Sequence, residues 1–367
     1  MSNNLTIDKP PYKAGDLTSA WAGIQKAKPG IRIREAAKEL GASEAQLLAT
    51  KIGNDIIRLK GPWPELLKRF SHLGRVMSLT RNDACILEHK GAFEKINVLE
   101  GHRPMATVIG PVETRVFFST WHVAFAVTEE KSDRILKSIQ VFDRSGEAIT
   151  KIYLQEKEGK ERSDETAFYK IIEDFRSEDQ NSFQAVEPYL AETYDEHIDA
   201  KALLADWEAL KDTHEFFGML KKYKVNRQDA LALASGRFTY QVDPKVTPPQ
   251  ILQEAAVQNL EIMIFAGNRG NLQIHQGRVR VIRVLERGHA GTESWLNVLD
   301  PDFNMHLKQN DVDTAWVVKK PTTDGVVTSI ELFDKQKNLI AQFFGLRKPG
   351  IPENDAWTRL VEKLVAL

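Results

Sequence analysis

Apolar and polar residues alternate over several short stretches of this chain. Ile139-Gln-Val-Phe runs into Asp143-Arg-Ser-Gly146, and Ile330-Glu-Leu-Phe runs into Asp334-Lys-Gln-Lys. A period of two marks a strand, and turn residues directly after it mark an antiparallel neighbour. Other segments carry the helical period. Residues 35–48 and 218–231 each read as helix, short turn, helix, with Ser43 and Asn226 as N-caps of the second helix. Ser43 with Gln46 also fits a capping box. The spacing of Trp207, Leu210 and His214 predicts a helical face that the histidine shares with the two apolar residues. Residues 156–162 are a Lys, Glu and Gly run, read as a solvated loop, and the acidic residues 179–205 join two halves.

Those halves repeat one another. Residues 35–48 match 218–231; Trp63-Pro64-Glu-Leu-Leu matches Pro249-Gln-Ile-Leu; Asn82 to Gly91, with His89, matches Asn268 to Gly277, with His275. Val108-Ile-Gly-Pro111 matches Val298-Leu-Asp-Pro301, Ser138-Ile-Gln-Val-Phe-Asp143 matches Ser329-Ile-Glu-Leu-Phe-Asp334, and Thr166-Ala-Phe168 matches Asp355-Ala-Trp357. The offset is 183 residues from Ser43 to Asn226 and 191 from Ser138 to Ser329, so order and spacing are both kept. A tandem duplication follows, with domains at residues 1–190 and 191–367. Each is expected to hold two or three helices, a large antiparallel sheet and a closing helix. The fold class is α+β.

Composition removes several functions. Cys85 is the only cysteine, which excludes a disulfide framework, an iron–sulfur cluster, a thiolate zinc site and covalent haem attachment through Cys-x-x-Cys-His within one chain. No apolar run approaches the roughly 20 residues of a membrane span. Residues 1–16 are polar, contain Pro10 and Pro11, and lack the apolar centre of a signal peptide, so a cytoplasmic protein is expected. The net charge of −1 is spread over interspersed acids and bases. Residues 34–49 look superficially like a helix-turn-helix, but their match at 218–231 and the neutral charge favour a structural role over nucleic-acid binding.

Function usually sits where duplicated copies diverge. His214 lies in Trp207-Glu-Ala-Leu-Lys-Asp-Thr-His214-Glu-Phe-Phe217, while its counterpart near residues 28–31 has neither histidine nor aromatics. A packed or surface histidine is the common fate of such a residue, and metal ligation the sharper reading. Arg115 and Phe117 share a face of one strand, where the second half has Met305 and Leu307. An arginine there needs a partner, either a neighbouring carboxylate or a ligand. The second half also carries Lys319-Lys320-Pro321 and Gln342-Phe-Phe344-Gly-Leu-Arg347. These read as a solvated basic edge or as a cationic rim that grips carboxylates.

Long strings decide among these. Leu210-Lys-Asp-Thr-His214-Glu-Phe-Phe-Gly-Met-Leu, Ile264-Phe-Ala-Gly-Asn-Arg-Gly270, Trp295-Leu-Asn-Val-Leu-Asp-Pro301-Asp-Phe-Asn and Ile340-Ala-Gln-Phe-Phe-Gly-Leu-Arg-Lys-Pro-Gly350 resemble the HemS/HmuS/ShuS/PhuS family of bacterial haem-degrading and haemin-transport proteins. The resemblance covers nearly the whole chain. It implies a b-type, noncovalent haem in a cleft between the halves and residence in the bacterial cytoplasm. By position, His214 resembles the axial iron ligand, and Arg115 with Phe117 the pair on the opposite face. Arg227, Lys320, Gln342, Phe344 and Arg347 resemble pocket and propionate contacts, and Phe265 a wall. Ala341 stands where a bulkier aromatic is expected in some relatives. His89, His275 and His306 lie in family-like strands, and the repeat-matched pair His89 and His275 reads as packing. The implied activity is reductant-driven opening of the porphyrin ring with iron release, Arg115 being the catalytic residue. With no Gly-x-Gly-x-x-Gly element, electrons must come from an external donor or from a nicotinamide bound without that fingerprint. The alternative is a carrier that passes haem to a separate oxygenase. Implied partners are the inner-membrane haem importer or that downstream oxygenase.

Overall fold

A computed structural model describes residues 14–53, 55–155, 162–287, 292–348 and 350–365. Residues 156–161 of the proposed loop 156–162, most of the polar stretch 1–16, and Pro349 lie outside the described residues.

The first half runs α1 (Ala14–Ala27), α2 (Ile33–Leu40), α3 (Glu44–Ala49), β1 (Ile56–Leu59), α4 (Trp63–Arg69), β2 (Val76–Arg81), β3 (Cys85–Gly91), β4 (Ile96–Leu99), β5 (Met105–Val108), β6 (Glu113–Phe117), β7 (Val123–Glu130), β8 (Ile135–Phe142), β9 (Ala148–Leu154) and α5 (Glu165–Phe175). The second half repeats that order: α6 (Ala200–Glu208), α7 (Glu215–Lys222), α8 (Arg227–Leu233), β10 (Thr239–Val242), α9 (Thr247–Val257), β11 (Glu261–Gly267), β12 (Asn271–Arg278), β13 (Ile282–Arg287), β14 (Glu293–Leu299), β15 (Phe303–Lys308), β16 (Thr314–Thr322), β17 (Gly325–Phe333), β18 (Leu339–Gly345) and α10 (Asp355–Val365). The expected plan of helices, strands and a closing helix holds, with one early strand, β1 or β10, before the fourth helix. The strands form two nine-stranded antiparallel sheets flanked by helices.

The chain divides into two compact units. The first comprises residues 1–81, 88–190 and 268–272; the second comprises 82–87, 191–267 and 273–367. The break at Leu190 is therefore accompanied by an exchange of two short segments. In the first unit β1-β7-β8-β9-β2 are neighbours in that order, and β6-β5-β4 form a further run. The second unit has β10-β16-β17-β18-β11 and β15-β14-β13 in the same arrangement.

Two matched asparagines build the exchanged segments into their hosts. Within the second unit, Asn82 donates to the carbonyls of Gly267 (3.2 Å) and Ile340 (2.8 Å), and its oxygen accepts from the amides of Ala84 and Cys85. Within the first, Asn268 donates to Arg81 (2.9 Å) and Ile149 (2.8 Å), and accepts from Gly270 and Asn271. Each amide thus closes its own turn and satisfies carbonyls that burial would otherwise strand. Gly270 is required there, because a Cβ would come within 2.6 Å of the Ile149 side chain.

Each unit has its own core. Phe70, Phe118, Trp121, Ile139, Val141 and Phe168 anchor the first. Ile251, Ile264, Leu296, Val317, Phe343 and Trp357 anchor the second, and Trp207, Phe216 and Phe238 form its helix-side cluster. Trp207 stacks parallel to Phe238 at 5.5 Å and meets Phe216 edge-on at 4.6 Å. The expected capping box is present: Ser43 accepts from the Gln46 amide (3.2 Å), and the Gln46 side chain accepts from the Ser43 amide (3.0 Å). Asn226 caps α8 through the Gln228 amide.

Candidate functional site

The helical face expected to join Trp207, Leu210 and His214 does not form. α6 stops at Glu208, α7 starts at Glu215, and His214 occupies the N-cap position. Side-chain hydrogen bonds to the backbone compete with the helix here. Asp212 accepts from the His214 amide (2.7 Å), while Glu215 accepts from the amides of Lys211 (2.8 Å) and Asp212 (3.4 Å). The Lys211 carbonyl, which a helix would use internally, accepts from the Thr323 amide (3.0 Å) in the turn between β16 and β17. Trp207 and Leu210 are buried, whereas the His214 side chain is 94% exposed.

That turn fixes the imidazole. The Asp212 carboxylate lies 2.5 Å from His214 Nδ1. A carboxylate only accepts, so Nδ1 carries the proton and the lone pair of the neutral ring is on Nε2. His214 donates to Asp212 from backbone and ring, and these bonds hold the Asp212 carboxyl below the usual aspartate range. An outward Nε2 with the opposite nitrogen anchored on a carboxylate is the arrangement of metal-binding histidines. Phe217, also exposed, follows on α7 with Lys221 4.4 Å over its ring.

Arg227, Lys320, Gln342, Phe265 and Phe344 come together around a residue that sequence reasoning did not select, Glu331. Arg227 grips it with two nitrogens, Nε to Oε2 at 2.6 Å and Nη2 to Oε1 at 2.7 Å. Lys320 and Gln342 each donate to Oε1 at 2.9 Å, and Ser329 at 3.1 Å. Strand register explains the grouping: Glu331 on β17 lies directly across from Gln342 on β18. Phe216 sits beneath both cations, 4.9 Å from each, and Phe265 meets Phe344 edge-on at 5.0 Å. Burial alone would raise the Glu331 carboxyl, but Arg227 and Lys320 outweigh it and hold it far below the glutamate range.

Lys320 is therefore no part of an exposed rim. It is 3% exposed, whereas Lys319 points to the Tyr240 ring at 5.6 Å. A strand alternates its faces, so adjacent lysines separate. Arg347 pairs with Asp324 at 3.3 Å, and Asp324 also accepts from the Gly350 amide. Ala341 is buried in the second unit's core.

Arg115 and Phe117 lie on β6 of the first unit. Arg115 donates to Glu113 (3.1 Å) and to the Thr114 carbonyl (3.2 Å), and its side chain is half-buried. His275 stacks on Phe303 at 3.8 Å, and burial pushes its pKa down to about 4. Among the described residues no group of three or more His, Cys, Asp or Glu side chains could hold a metal ion, and no helix is long and apolar enough to cross a membrane.

The sequence signal for Asp212 was its place two residues before the histidine, where an aspartate makes an Asx turn. For Glu331 it was a carboxylate among apolar strand residues, matched by uncharged Gln140 in the other repeat.

The haemin-degrading HemS.ChuX domain matches twice, over residues 41–175 and 224–364. The chain belongs to the HemS/ChuX family. Two members similar to it over most of its length are the hemin transport protein HemS of Yersinia enterocolitica and HmuS of Yersinia pestis. HemS is 34% identical over 92% of this chain and 93% of its own. HmuS is 32% identical over 95% and 97%. Among solved structures, holo-PhuS, a heme-binding protein from Pseudomonas aeruginosa, superposes with a TM-score of 0.90 at 39% identity, covering 97% of this chain and all of its own. ChuS, an E. coli heme oxygenase, gives 0.82 at 29% identity over 95% and 99%. The HemS/ChuX family assignment agrees with the resemblance carried by the strings at 210–220, 264–270, 295–304 and 340–350.

Proposed function

We propose that this chain, a tandem duplication, binds one b-type haem noncovalently in the bacterial cytoplasm, with His214 as the axial iron ligand, and opens the ring to release iron. The single observation that carries the proposal is the Asp212-anchored imidazole with Nε2 directed outward. Its donor chemistry suits haem iron, and members of the family carry haem-binding and haemin-transport names. Other residues of the second unit suit the rest of the ligand. Phe217, Phe265 and Phe344 supply aromatic walls, and Arg227 and Arg347 supply guanidinium groups for carboxylates. Haem supplies the redox chemistry, and an external donor supplies the electrons. Arg115 would polarise a small ligand on the open face.

Arg115 also supports a second reading, carriage of haem from an inner-membrane importer to a separate oxygenase. Its guanidinium is already engaged by Glu113 and the Thr114 carbonyl, as a structural arginine would be. One experiment separates the two. Purified protein is loaded with haem and given a reductant with catalase present, and loss of the Soret band and iron release are followed. Under the degradation reading the wild type turns haem over. Arg115→Ala then keeps most haem affinity and slows ring opening on the order of 100-fold, the usual cost of one well-placed donor. Under the carriage reading the wild type leaves haem intact, and the substitution lowers thermal stability and haem binding together.

A further inference from the structure

The buried charge cluster of the second unit has a permuted copy in the first. α3 and α8 each begin directly after their N-caps, with Glu44 in one and Arg227 in the other. Gln140 pairs with Lys151 across β8 and β9, where Glu331 pairs with Gln342 across β17 and β18. Ser138 accepts from Gln140 as Ser329 donates to Glu331. In both units one buried carboxylate is held by two cations: Glu44 by Arg81 and Lys151, Glu331 by Arg227 and Lys320.

The permutation changes what each cluster presents. In the first unit the carboxylate comes from the helix, and Glu44, Arg81 and Lys151 are all closed in. In the second the carboxylate is on the strand and wholly buried, and the helix contributes an arginine whose side chain is 21% exposed. Nε and Nη2 of Arg227 are used on Glu331, and Nη1 has no partner among the described residues. Phe216 closes the cluster from beneath. By formal charge the group holds two cations and one anion, and Arg227 is its partly exposed charged member, held by Glu331 through two nitrogens.

We propose that Glu331 is a positioning residue: it aims Arg227 at a carboxylate of the ligand, with Lys320 as the buried second cation of the cluster. Glu331 itself touches no ligand. This rests on the haem reading above, since haem brings two propionates. A bidentate pair fixes a guanidinium plane as a single contact does not.

The test compares haem with haem dimethyl ester, which keeps the ring and iron and lacks the carboxylates. Affinities for both are measured on the full chain, wild type and Glu331→Gln, with the Soret spectrum and thermal midpoint of each. Wild type should prefer the free acid. Glu331→Gln should lose about 10- to 100-fold of affinity for haem, the worth of a charge-assisted pair, while ester affinity and the histidine-type spectrum stay. Equal losses for both ligands would mean that Glu331 supports only the fold, and undiminished preference would mean that it orients nothing; either result overturns the proposal. If Glu331→Gln does not fold, Glu331→Asp decides, because it keeps the charge and withdraws it by one methylene. Full preference in that variant also refutes positioning. A wild type that binds acid and ester equally removes this inference and leaves haem binding standing. One that binds neither removes both.

Discussion

Replacing His214 by alanine is expected to abolish the histidine-ligated Soret spectrum and to weaken haem binding by more than 100-fold. The imidazole is presented by a turn rather than packed into a core. Its side chain is almost fully exposed, and α7 begins at the next residue. Removing it should therefore cost ligation without costing the fold, so the thermal midpoint of the haem-free protein should hardly move. Asp212→Ala is the graded companion. It leaves the ring in place but frees Nδ1, and such outer partners are worth 10- to 100-fold in metal affinity. Ferric haem titrations of the three proteins check both effects. A His214→Ala protein with wild-type spectrum and affinity would require another ligand.

The second large effect is expected in the buried charge cluster of the first unit, at Glu44. Its carboxylate accepts from Arg81 and, at 2.7 Å, from Lys151; Glu44 and Lys151 are buried and Arg81 is nearly so. Glu44→Ala would leave two cations enclosed without their anion, a change that costs about 3–5 kcal/mol. Chemical denaturation at neutral pH should show this loss. A change below about 1 kcal/mol, the range of exposed pairs, would mean that water reaches the cluster.

The same carboxylate gives the acid limb of stability a sign. Burial opposes ionisation of Glu44, but Lys151 and Arg81 outweigh it and hold its pKa below the ordinary value of 4.5. A group depressed in the folded state contributes stability above its unfolded pKa and loses it as pH falls through the folded one. Wild type should weaken progressively below about pH 4.5, and Glu44→Gln, lower at neutral pH, should show a flatter acid limb. Denaturation midpoints of both proteins between pH 3 and 7 check that the two curves converge as the pH falls.

Much of this molecule was legible without coordinates. Alternation over 139–142 and 330–333 marked β8 and β17, Ser43 with Gln46 marked the start of α3, and the offset between matched strings marked two copies of one plan. These features are local. A strand's period, a cap and a turn are written in residues two to four apart, and a duplication is a comparison of such local patterns. The strings around His214 and at 340–350 carried the family for the same reason.

Tertiary structure decided who partners whom. Glu331 looked like one polar position of a strand until β17 and β18 set it opposite Gln342 and within reach of Arg227, 104 residues away in sequence. Lys320 and Lys319 read alike in the chain, and burial on one face of β16 made one an internal cation. Helical spacing from Trp207 suggested an apolar face for His214. Asp212, Glu215 and the Thr323 amide bonded to the Lys211 carbonyl instead ended the helix and turned the ring outward. Periodicity records which face a residue occupies within its own element. Which charge meets it depends on strand register and on burial, and those exist only once distant segments have packed.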